Sequence, residues 1–203
     1  MLKGIDYCAS NQKRALDLAL SVPLSAIFSP VIIAGATAAR LTMRQPGIYL
    51  EPRVDAGSKD FKVYKIRTAA DLCDNTQPPP VKGVACLIRQ LGIDELPQLW
   101  NVIDGDMSMV GWRPMDRAMY DKMLNKLPGS IVDEWKAAYD SVKPGIISHH
   151  AINIHSGEKD RCIKRAESDL RYIENASTRA DLSLLSRMLN PKTLKAMASA
   201  AGL

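Results

Sequence analysis

A long stretch without charged side chains dominates the N-terminal part of the chain. From Leu18 to Ala39 the sequence has 22 residues and no Asp, Glu, Lys or Arg. As a straight helix this stretch would reach roughly 33 Å, about the thickness of the hydrocarbon core of a bilayer. A cleaved signal peptide is disfavoured, because the run is long and Arg40 and Arg44 follow it where a cleavage region would be uncharged. The stretch therefore predicts a helix that enters lipid.

The flanks and the prolines of this stretch bear on how the helix sits in the membrane. Basic residues lie on both sides of it, namely Lys3, Lys13 and Arg14 before it and Arg40 and Arg44 after it. The positive charge therefore specifies no net orientation. Pro30 cannot donate a hydrogen bond to the carbonyl of Ala26, so we expect a kink there, with the Ser29 hydroxyl helping to satisfy that carbonyl. Because prolines also occur in spanning helices, the pattern leaves a spanning and a re-entrant helix open.

The composition favours a single folded unit with anionic partners. The chain has 203 residues, of which 46% are apolar, and this is enough for one hydrophobic core. A net charge of +5 favours nucleotides, phospholipid headgroups or nucleic acid as partners. Nucleic acid is the least favoured of these, because only 5% of the residues are aromatic and they do not interleave with Arg and Lys. We expect a membrane segment, residues 1–44, that works as one unit with residues 45–203.

Beyond the membrane segment, the sequence predicts an α+β fold that is mainly helical. Residues 45–57 are interrupted by Pro and Gly and predict a loop, whereas residues 61–66 favour a strand within a short strand pair. Three consecutive prolines exclude a helix from residues 75–80. Apolar residues recur at helical spacing in two segments, Met115, Ala118, Met119 and Met123 in the first and Ile163, Ala166, Leu170 and Ile173 in the second. Both predict amphipathic helices, and residues 181–201 are also helical in pattern.

Two adjacent carboxylates, Asp94 and Glu95, stand just before Leu96 and Pro97, where a helix can begin with proline in its first turn. An acidic residue at such a place is most often a helix cap. In a catalytic pair, one carboxylate would attack phosphorus and its neighbour would hold a divalent cation that neutralises the phosphate oxygens. Two like charges side by side favour such a cation.

A series of short motifs surrounds this pair in a fixed order. They are Phe28-Ser-Pro-Val-Ile, Lys65-Ile-Arg-Thr, Leu87-Ile-Arg-Gln, Ile93-Asp-Glu-Leu-Pro-Gln-Leu, Asn101-Val, Gly105-Asp-Met-Ser, Gly111-Trp-Arg-Pro, Lys143-Pro-Gly-Ile and Asp169-Leu-Arg-Tyr-Ile-Glu-Asn-Ala-Ser. In this order they closely resemble the bacterial sugar transferase family, the monotopic polyprenyl-phosphate phosphoglycosyltransferases that prime glycoconjugate synthesis. The resemblance runs from about Leu16 to about Leu189.

The resemblance implies a topology and a location. The N-terminal membrane helix would be re-entrant and broken at Ser29 and Pro30, followed by a small β element and by amphipathic helices at the membrane surface. Both termini would then be cytoplasmic, and the protein would lie on the cytoplasmic face of the bacterial inner membrane. The lipid bilayer is therefore an expected partner, and downstream glycosyltransferases or a second copy in a homodimer are further ones.

The resemblance also implies a reaction. A sugar 1-phosphate would pass from a UDP-sugar to undecaprenyl phosphate with release of UMP, as the first membrane step of exopolysaccharide, capsule, O-antigen or glycoprotein glycan synthesis. Asp94 would be the nucleophile that forms a covalent aspartyl phosphosugar, and Glu95 together with Asp94 would bind Mg²⁺. Residues at family motif positions that would bind substrate phosphate are Lys65, Arg67, Arg89, Arg113, Lys143 and Asp169.

The chain departs from the family pattern in two places. Trp112 stands where the family has proline, and Ile147, Ser148 and residues 151–155 differ from the usual sequence after the Lys-Pro-Gly motif. These differences bear on the sugar and nucleotide pocket, so the sugar cannot be assigned by analogy. An alternative function is a catalytically weak protein that binds polyprenyl phosphate or serves as a scaffold. A third hypothesis is a single-span anchor that carries a basic binding domain.

Overall fold

The protein is described here by a computed structural model in residues 4–54, 60–68, 83–149 and 161–188. The helices are α1 (Ile5–Cys8), α2 (Asn11–Met43), α3 (Gly83–Gln90), α4 (Gln98–Asp104), α5 (Arg117–Lys126), α6 (Gly129–Ser141), α7 (Arg161–Asn175) and α8 (Thr178–Met188), with a 3₁₀ turn at Ile93–Glu95. The strands are β1 (Ile48–Val54), β2 (Asp60–Ile66), β3 (Ser108–Val110) and β4 (Gly145–Ile147). They form an antiparallel pair, β1–β2, and a parallel pair, β3–β4. The predicted α+β, mainly helical class is confirmed.

Helix α2 contains the whole uncharged stretch. Ser10 caps its start by accepting a hydrogen bond from the Lys13 N–H at 3.1 Å, and Arg44 ends it in the left-handed conformation. Among the residues that the structure describes, α2 is the helix whose length and apolar composition suit a membrane. Only 17% of the most apolar 18-residue stretch of this helix is buried inside the protein. The prediction of a long apolar helix is therefore confirmed.

The break expected at Ser29 and Pro30 does not interrupt the helix, which corrects that prediction. Helix α2 continues through both residues. The Ser29 hydroxyl donates to the Ala26 carbonyl at 2.8 Å, which is the acceptor that Pro30 leaves without its helical donor. The predicted role of Ser29 is thus confirmed, because its hydroxyl replaces the missing N–H and preserves the helix. The re-entrant bend stays a prediction.

Both flanks of α2 pack against the same folded body. Near its start, Arg14 donates to two carbonyls at the end of α4 at 2.5 and 2.7 Å. Near its other end, Gly35 lies against Ile66 of β2 and Ile93 of the 3₁₀ turn. Between these attachments, none of residues 25–31 is buried. The middle of the helix is therefore uncovered while both of its ends are held.

A buried ionic cluster fastens the start of α2. The Lys13 ammonium lies 2.7 Å from the Asp181 carboxylate of α8 and 3.2 Å from the Asp17 carboxylate one turn further along α2. The hydroxyls of Tyr7 and Tyr172 each donate to Asp181 at 2.9 Å. A buried charge without a partner is strongly destabilising, so this cluster fixes the helix to the body as a unit. Nothing in the local sequence pattern predicted it.

The hairpin β1–β2 corrects one prediction and confirms another. Residues 48–54 form a strand, although Pro and Gly in residues 45–57 predicted a loop. Pro52 is tolerated because a strand in a two-stranded sheet has a free edge on which no N–H is needed. The strand predicted at residues 61–66 is confirmed, since β2 covers it and pairs with β1 along its whole length.

The predicted amphipathic helices are present. Helix α5 begins after the N-cap Asp116, whose side chain accepts from the Met119 N–H at 2.7 Å, and it buries Met123. Helix α7 buries Ala166 and Ile173 in the same core. The first part of the helix predicted at the C-terminal end is confirmed in α8, while Pro191 and the rest of that prediction lie outside the described residues, as does the loop predicted at 75–80.

Candidate active site

The carboxylate pair lies on a short 3₁₀ turn between α3 and α4. Gly92 precedes the turn in the left-handed conformation, with φ 67°, which reverses the chain after α3. Asp94 and Glu95 form the turn, and Pro97 occupies the N-cap position of α4. The cap position is thus taken by proline rather than by either carboxylate. This arrangement weakens the explanation of the two acids as helix caps.

One face of the hairpin β1–β2 brings basic side chains to this turn. Side chains alternate between the faces of a strand, so Tyr49, Glu51 and Arg53 share a face of β1, and Lys65 lies opposite Tyr49 in the register. Glu51 accepts from Lys65 at 2.7 Å and from Arg53 at 2.5 Å. Burial raises the pKa of Glu51, but Lys65 and Arg53 outweigh this effect and hold the pKa below its ordinary value.

The side chain of Asn101 attaches this hairpin to α4. Its carboxamide accepts from the Tyr64 N–H at 3.0 Å and donates to the Lys62 carbonyl at 2.8 Å. Both backbone groups lie on β2, so Asn101 pairs with the strand much as a neighbouring strand would. Asn101 is fully buried. The contact holds Lys65 beside the turn that carries Asp94.

Glu95 is engaged by a guanidinium. Arg113, which follows β3, donates to the Glu95 carboxylate at 2.5 and 3.5 Å. Burial raises the pKa of Glu95, but Arg113 and Lys65 overcome it and hold the pKa below its ordinary value. Glu95 is therefore ionised at neutral pH. Glu95, Lys65, Arg53 and Arg113 line one small cleft.

Asp94 differs from its neighbour. Within the described part of the chain no cation forms an ion pair with it. Burial first, and then the charge of Glu95, raise the pKa of Asp94 to about 6, against the opposing effect of Lys65 and Arg89. A half-buried carboxylate with a raised pKa is a candidate reactive group.

The other predicted site residues are not all brought to this turn. Arg89 is exposed on α3 and lies within electrostatic range of Asp94. Arg67 is buried, donates to the Pro46 carbonyl at 3.0 Å and lies over the Tyr49 ring. Its contacts hold the base of the hairpin.

Lys143 and Asp169 lie away from the carboxylate pair. The Lys143 ammonium lies near Gly105 at the far end of α4, in a polar pocket that it shares with Arg14. Asp169 is buried, with the Trp135 indole N–H 3.4 Å from its carboxylate. Phosphate binding by Asp169 is not supported, because a buried carboxylate offers phosphate a like charge; it acts instead on the nearby Arg165.

The carboxylate pair suits a magnesium ion only with help from a substrate. The described residues contain no group of three or more His, Cys, Asp or Glu side chains that would hold a metal alone. Mg²⁺ is commonly bound by one or two carboxylates together with substrate phosphates and water. Asp94 and Glu95 fit that donor set. Burial and the charge of Glu95 raise the pKa of Asp94, and a cation would offset the second of these effects.

Sequence reasoning missed several residues of the site. These are Tyr49, Glu51, Arg53 and Arg165, while Asn101 was recognised only as part of a motif and without a role. The alternation of Tyr49, Glu51 and Arg53 was a usable signal, but it required residues 48–54 to be taken as a strand. Arg165 and Asn101 act through backbone groups that are distant in sequence, and no local pattern reports such contacts.

Fold and site together define a membrane-associated protein with a carboxylate pair set among basic side chains, an arrangement suited to phosphate chemistry. The sequence profile of the family described as "Bacterial sugar transferase" matches residues 8–195. The chain belongs to the bacterial sugar transferase family. This confirms the family that the motif order predicted.

Individual relatives give the same picture. The chain is 31% identical over 184 residues to the UDP-N-acetylgalactosamine-undecaprenyl-phosphate N-acetylgalactosaminephosphotransferase of Aeromonas hydrophila, covering 85% of this chain and 41% of that protein. It is 34% identical over 185 residues to the undecaprenyl-phosphate glucose phosphotransferase of Komagataeibacter xylinus, covering 86% and 34%. An uncharacterised sugar transferase of Bacillus subtilis, EpsL, is 35% identical over 178 residues, covering 85% and 83%. The chain thus spans less than half the length of the first two relatives.

Proposed function

We propose that this protein transfers a sugar 1-phosphate from a UDP-sugar to undecaprenyl phosphate and releases UMP. The observation that carries the proposal is the contrast within the carboxylate pair. Glu95 is ionised and held by Arg113, whereas Asp94 is half-buried beside it without an ion pair in the described part of the chain. Relatives named as undecaprenyl-phosphate sugar phosphotransferases support the same reaction.

The reaction proceeds in two displacements at one phosphorus atom. In the first, an oxygen of Asp94 forms a bond to the phosphorus that carries the sugar, and the bond from this phosphorus to the UMP oxygen breaks. UMP leaves with the electron pair, and the protein carries an aspartyl phosphosugar. In the second, a phosphate oxygen of undecaprenyl phosphate attacks the same phosphorus and Asp94 leaves as a carboxylate. The two substrates need not be bound together.

The basic residues of the hairpin and of the segment after β3 stabilise the negative charge of the phosphate groups that react. Ion pairs with Glu51 fix the positions of Lys65 and Arg53, and an ion pair with Glu95 fixes that of Arg113. Guanidinium groups offer paired donors to phosphate oxygens. Mg²⁺, when held by Asp94 and Glu95, would supply further neutralisation of the phosphate charge.

The attachment of α2 supports a re-entrant topology. Both flanks of the helix pack on the same body, while its middle is uncovered. A helix that crossed the membrane would place one flank on the far side, away from that body. We therefore propose that α2 enters and leaves on one side, with both termini and the catalytic residues at the cytoplasmic face of the inner membrane.

Helix α3 supports the same placement. Val84, Leu87 and Leu91 follow one another at helical spacing and are all more than half exposed, at 54%, 53% and 64%. Ile88, one turn after Val84, is buried and packs with Ala39 of α2 and Ile66. An exposed apolar stripe next to a membrane helix suits the headgroup and acyl boundary of a bilayer. The stripe supports the proposal that Arg89 of α3, and Asp94 beyond it, work at headgroup depth.

Turnover with a panel of UDP-sugars tests the proposal. Purified protein with Mg²⁺ and undecaprenyl phosphate is expected to release UMP and to form an organic-extractable labelled lipid with at least one sugar. Asp94→Asn is expected to abolish both products, whereas Asp133→Asn, at an exposed site on α6, keeps them. Absence of turnover by the wild type across the panel would favour the scaffold alternative, and full activity of Asp94→Asn would exclude Asp94 as the nucleophile.

A further inference from the structure

A three-residue segment connects β3 to the active site, and its backbone is fixed on one side. The Gly111 N–H donates to the Ile147 carbonyl at 3.0 Å, and the Trp112 carbonyl accepts from the Gly145 N–H at 2.8 Å. A side chain at Gly111 would lie 2.7 Å from the Gly145 nitrogen, so only glycine allows this approach. The next residue, Arg113, is the one that holds Glu95.

The side chain of Trp112 extends away from the active site into the core. It is 1% exposed, and its indole N–H donates to the Val142 carbonyl at 2.8 Å. Its ring stacks on Tyr139 with centroids 3.6 Å apart. The Tyr139 hydroxyl in turn donates to the Val54 carbonyl at 3.1 Å, at the end of β1. The indole thus links the segment before Arg113 to the hairpin that carries the other cations.

A second contact holds the segment immediately after Trp112. The guanidinium of Arg165, on α7, donates to the Arg113 carbonyl at 2.7 Å. The buried Asp169 lies near Arg165 and stabilises its positive charge. The backbone of Arg113 is therefore fixed from two directions, by Trp112 before it and by Arg165 on its carbonyl. Its side chain is left to extend toward Glu95.

We propose that Trp112 is a positioning residue for the active site. Its indole anchors the backbone from which Arg113 reaches Glu95, so the hydrogen bond to Val142 sets how accurately the guanidinium meets the substrate phosphate. The inference rests on the proposed function, because it assigns Arg113 to that reaction. It also explains how the chain accommodates tryptophan where the family has proline. The large side chain of Trp112 occupies the core and takes no space in the cleft that Arg113 lines.

The test begins with Trp112→Phe, which keeps an aromatic ring for Tyr139 but removes the N–H donor. We expect kcat/KM for the UDP-sugar to fall about fivefold per folded protein, the size that loss of one hydrogen bond implies. Leu127→Ala is the matched control, because Leu127 is buried in the same core, at the C-terminal end of α5. It is expected to lower Tm while leaving kcat/KM per folded protein unchanged.

A double-mutant cycle shows whether Trp112 acts through Arg113. In an Arg113→Lys background, Trp112→Phe is expected to lower kcat/KM by less than twofold, because the paired guanidinium it positions is already gone. A purely structural residue would give independent, multiplicative losses. Wild-type kcat/KM in Trp112→Phe, or multiplicative losses in the cycle, would overturn the positioning role while leaving the proposed function intact. Absence of UMP release by the wild type would overturn both.

Discussion

Asp94 and Glu95 are chemically similar neighbours that the surrounding residues make different. Glu95 has a guanidinium partner, and its pKa lies below the ordinary value despite burial. Asp94 has a pKa of about 6, raised by burial and by the charge of Glu95. Two acids whose environments separate their pKa values commonly take separate roles. Glu95, with its guanidinium partner, suits binding, and Asp94, which has no ion pair among the described residues, suits attack on phosphorus.

The role of Glu95 is testable through metal dependence. Glu95→Gln removes the charge that would bind Mg²⁺ and weakens the contact with Arg113. We expect the Mg²⁺ concentration for half-maximal UMP release to rise about tenfold or more, as for loss of a charged metal ligand or its support. Glu134→Gln, at an exposed site on α6, is the control. An unchanged Mg²⁺ titration in Glu95→Gln would remove Glu95 from the proposed metal site.

The buried carboxyl group of Asp169 is expected to make the free energy of unfolding depend on pH. Burial raises its pKa from 3.8 to about 6, so in the folded protein it keeps its proton at a pH where the unfolded chain has lost it. Stability therefore falls as pH rises from about 4 to about 6, by about 3 kcal/mol in total. Asp169→Asn cannot titrate and retains an acceptor for Trp135. We expect wild-type stability in urea unfolding to decline across this range relative to Asp169→Asn. Parallel pH profiles for the two proteins would contradict the buried titration.

At the scale of elements, the site depends on how a hairpin is held against a helix. The contact between β2 and α4 passes through Asn101, which binds two backbone groups of β2. An isolated two-stranded hairpin is marginally stable in water, so this attachment matters for the position of Lys65. The carboxylate turn and the hairpin would otherwise be joined mainly by packing.

Replacement of Asn101 tests this attachment. Asn101→Ala leaves the Tyr64 N–H and the Lys62 carbonyl without their partner, and we expect the free energy of unfolding to fall by about 1–3 kcal/mol. We also expect kcat/KM for the UDP-sugar to fall, because Lys65 loses its fixed place beside Asp94. Asn125→Ala, at an exposed position on α5, controls for the substitution itself. Equal stability and activity of the two variants would show that the hairpin is positioned by other contacts.

The elements also show which sequence signals were informative. Periodicity located α5, α7 and the start of α8, because each has one apolar face on the core. It failed for β1, where Pro and Gly suggested a loop. The pairing that makes residues 48–54 a strand comes from β2 and the exposed edge, and neither is visible within the segment itself.

At the scale of the whole molecule, the membrane helix and the active site form one structure. The start of α2 is held by the buried cluster around Lys13 and Asp181, whose positions are 168 residues apart in the chain. The end of α2 packs near the 3₁₀ turn that carries Asp94. The fold determines such long-range contacts, and it also determines that Lys143 and Asp169 lie apart from the turn. The motif order predicted the family but could not predict them.

Cysteine labelling tests the re-entrant topology. Asn11→Cys and Arg44→Cys place single thiols at exposed positions on the two flanks of α2, in a background without the native cysteines. We expect a membrane-impermeant maleimide to label neither site in intact spheroplasts and both after permeabilisation, because both flanks pack on the same body, which we propose lies on the cytoplasmic side. Labelling of one site alone in intact spheroplasts would show a spanning helix and favour the anchor hypothesis.

The central claim is that Asp94 carries the phosphosugar between two displacements. Intact-protein mass spectrometry tests it directly. The protein is incubated with Mg²⁺ and a UDP-sugar that it accepts as a substrate, in the absence of undecaprenyl phosphate. We predict an added mass equal to one sugar phosphate, located on Asp94 by peptide mapping, lost on addition of the lipid and absent from Asp94→Asn. Continued formation of lipid product by a protein that never shows this adduct under rapid quenching would contradict the account.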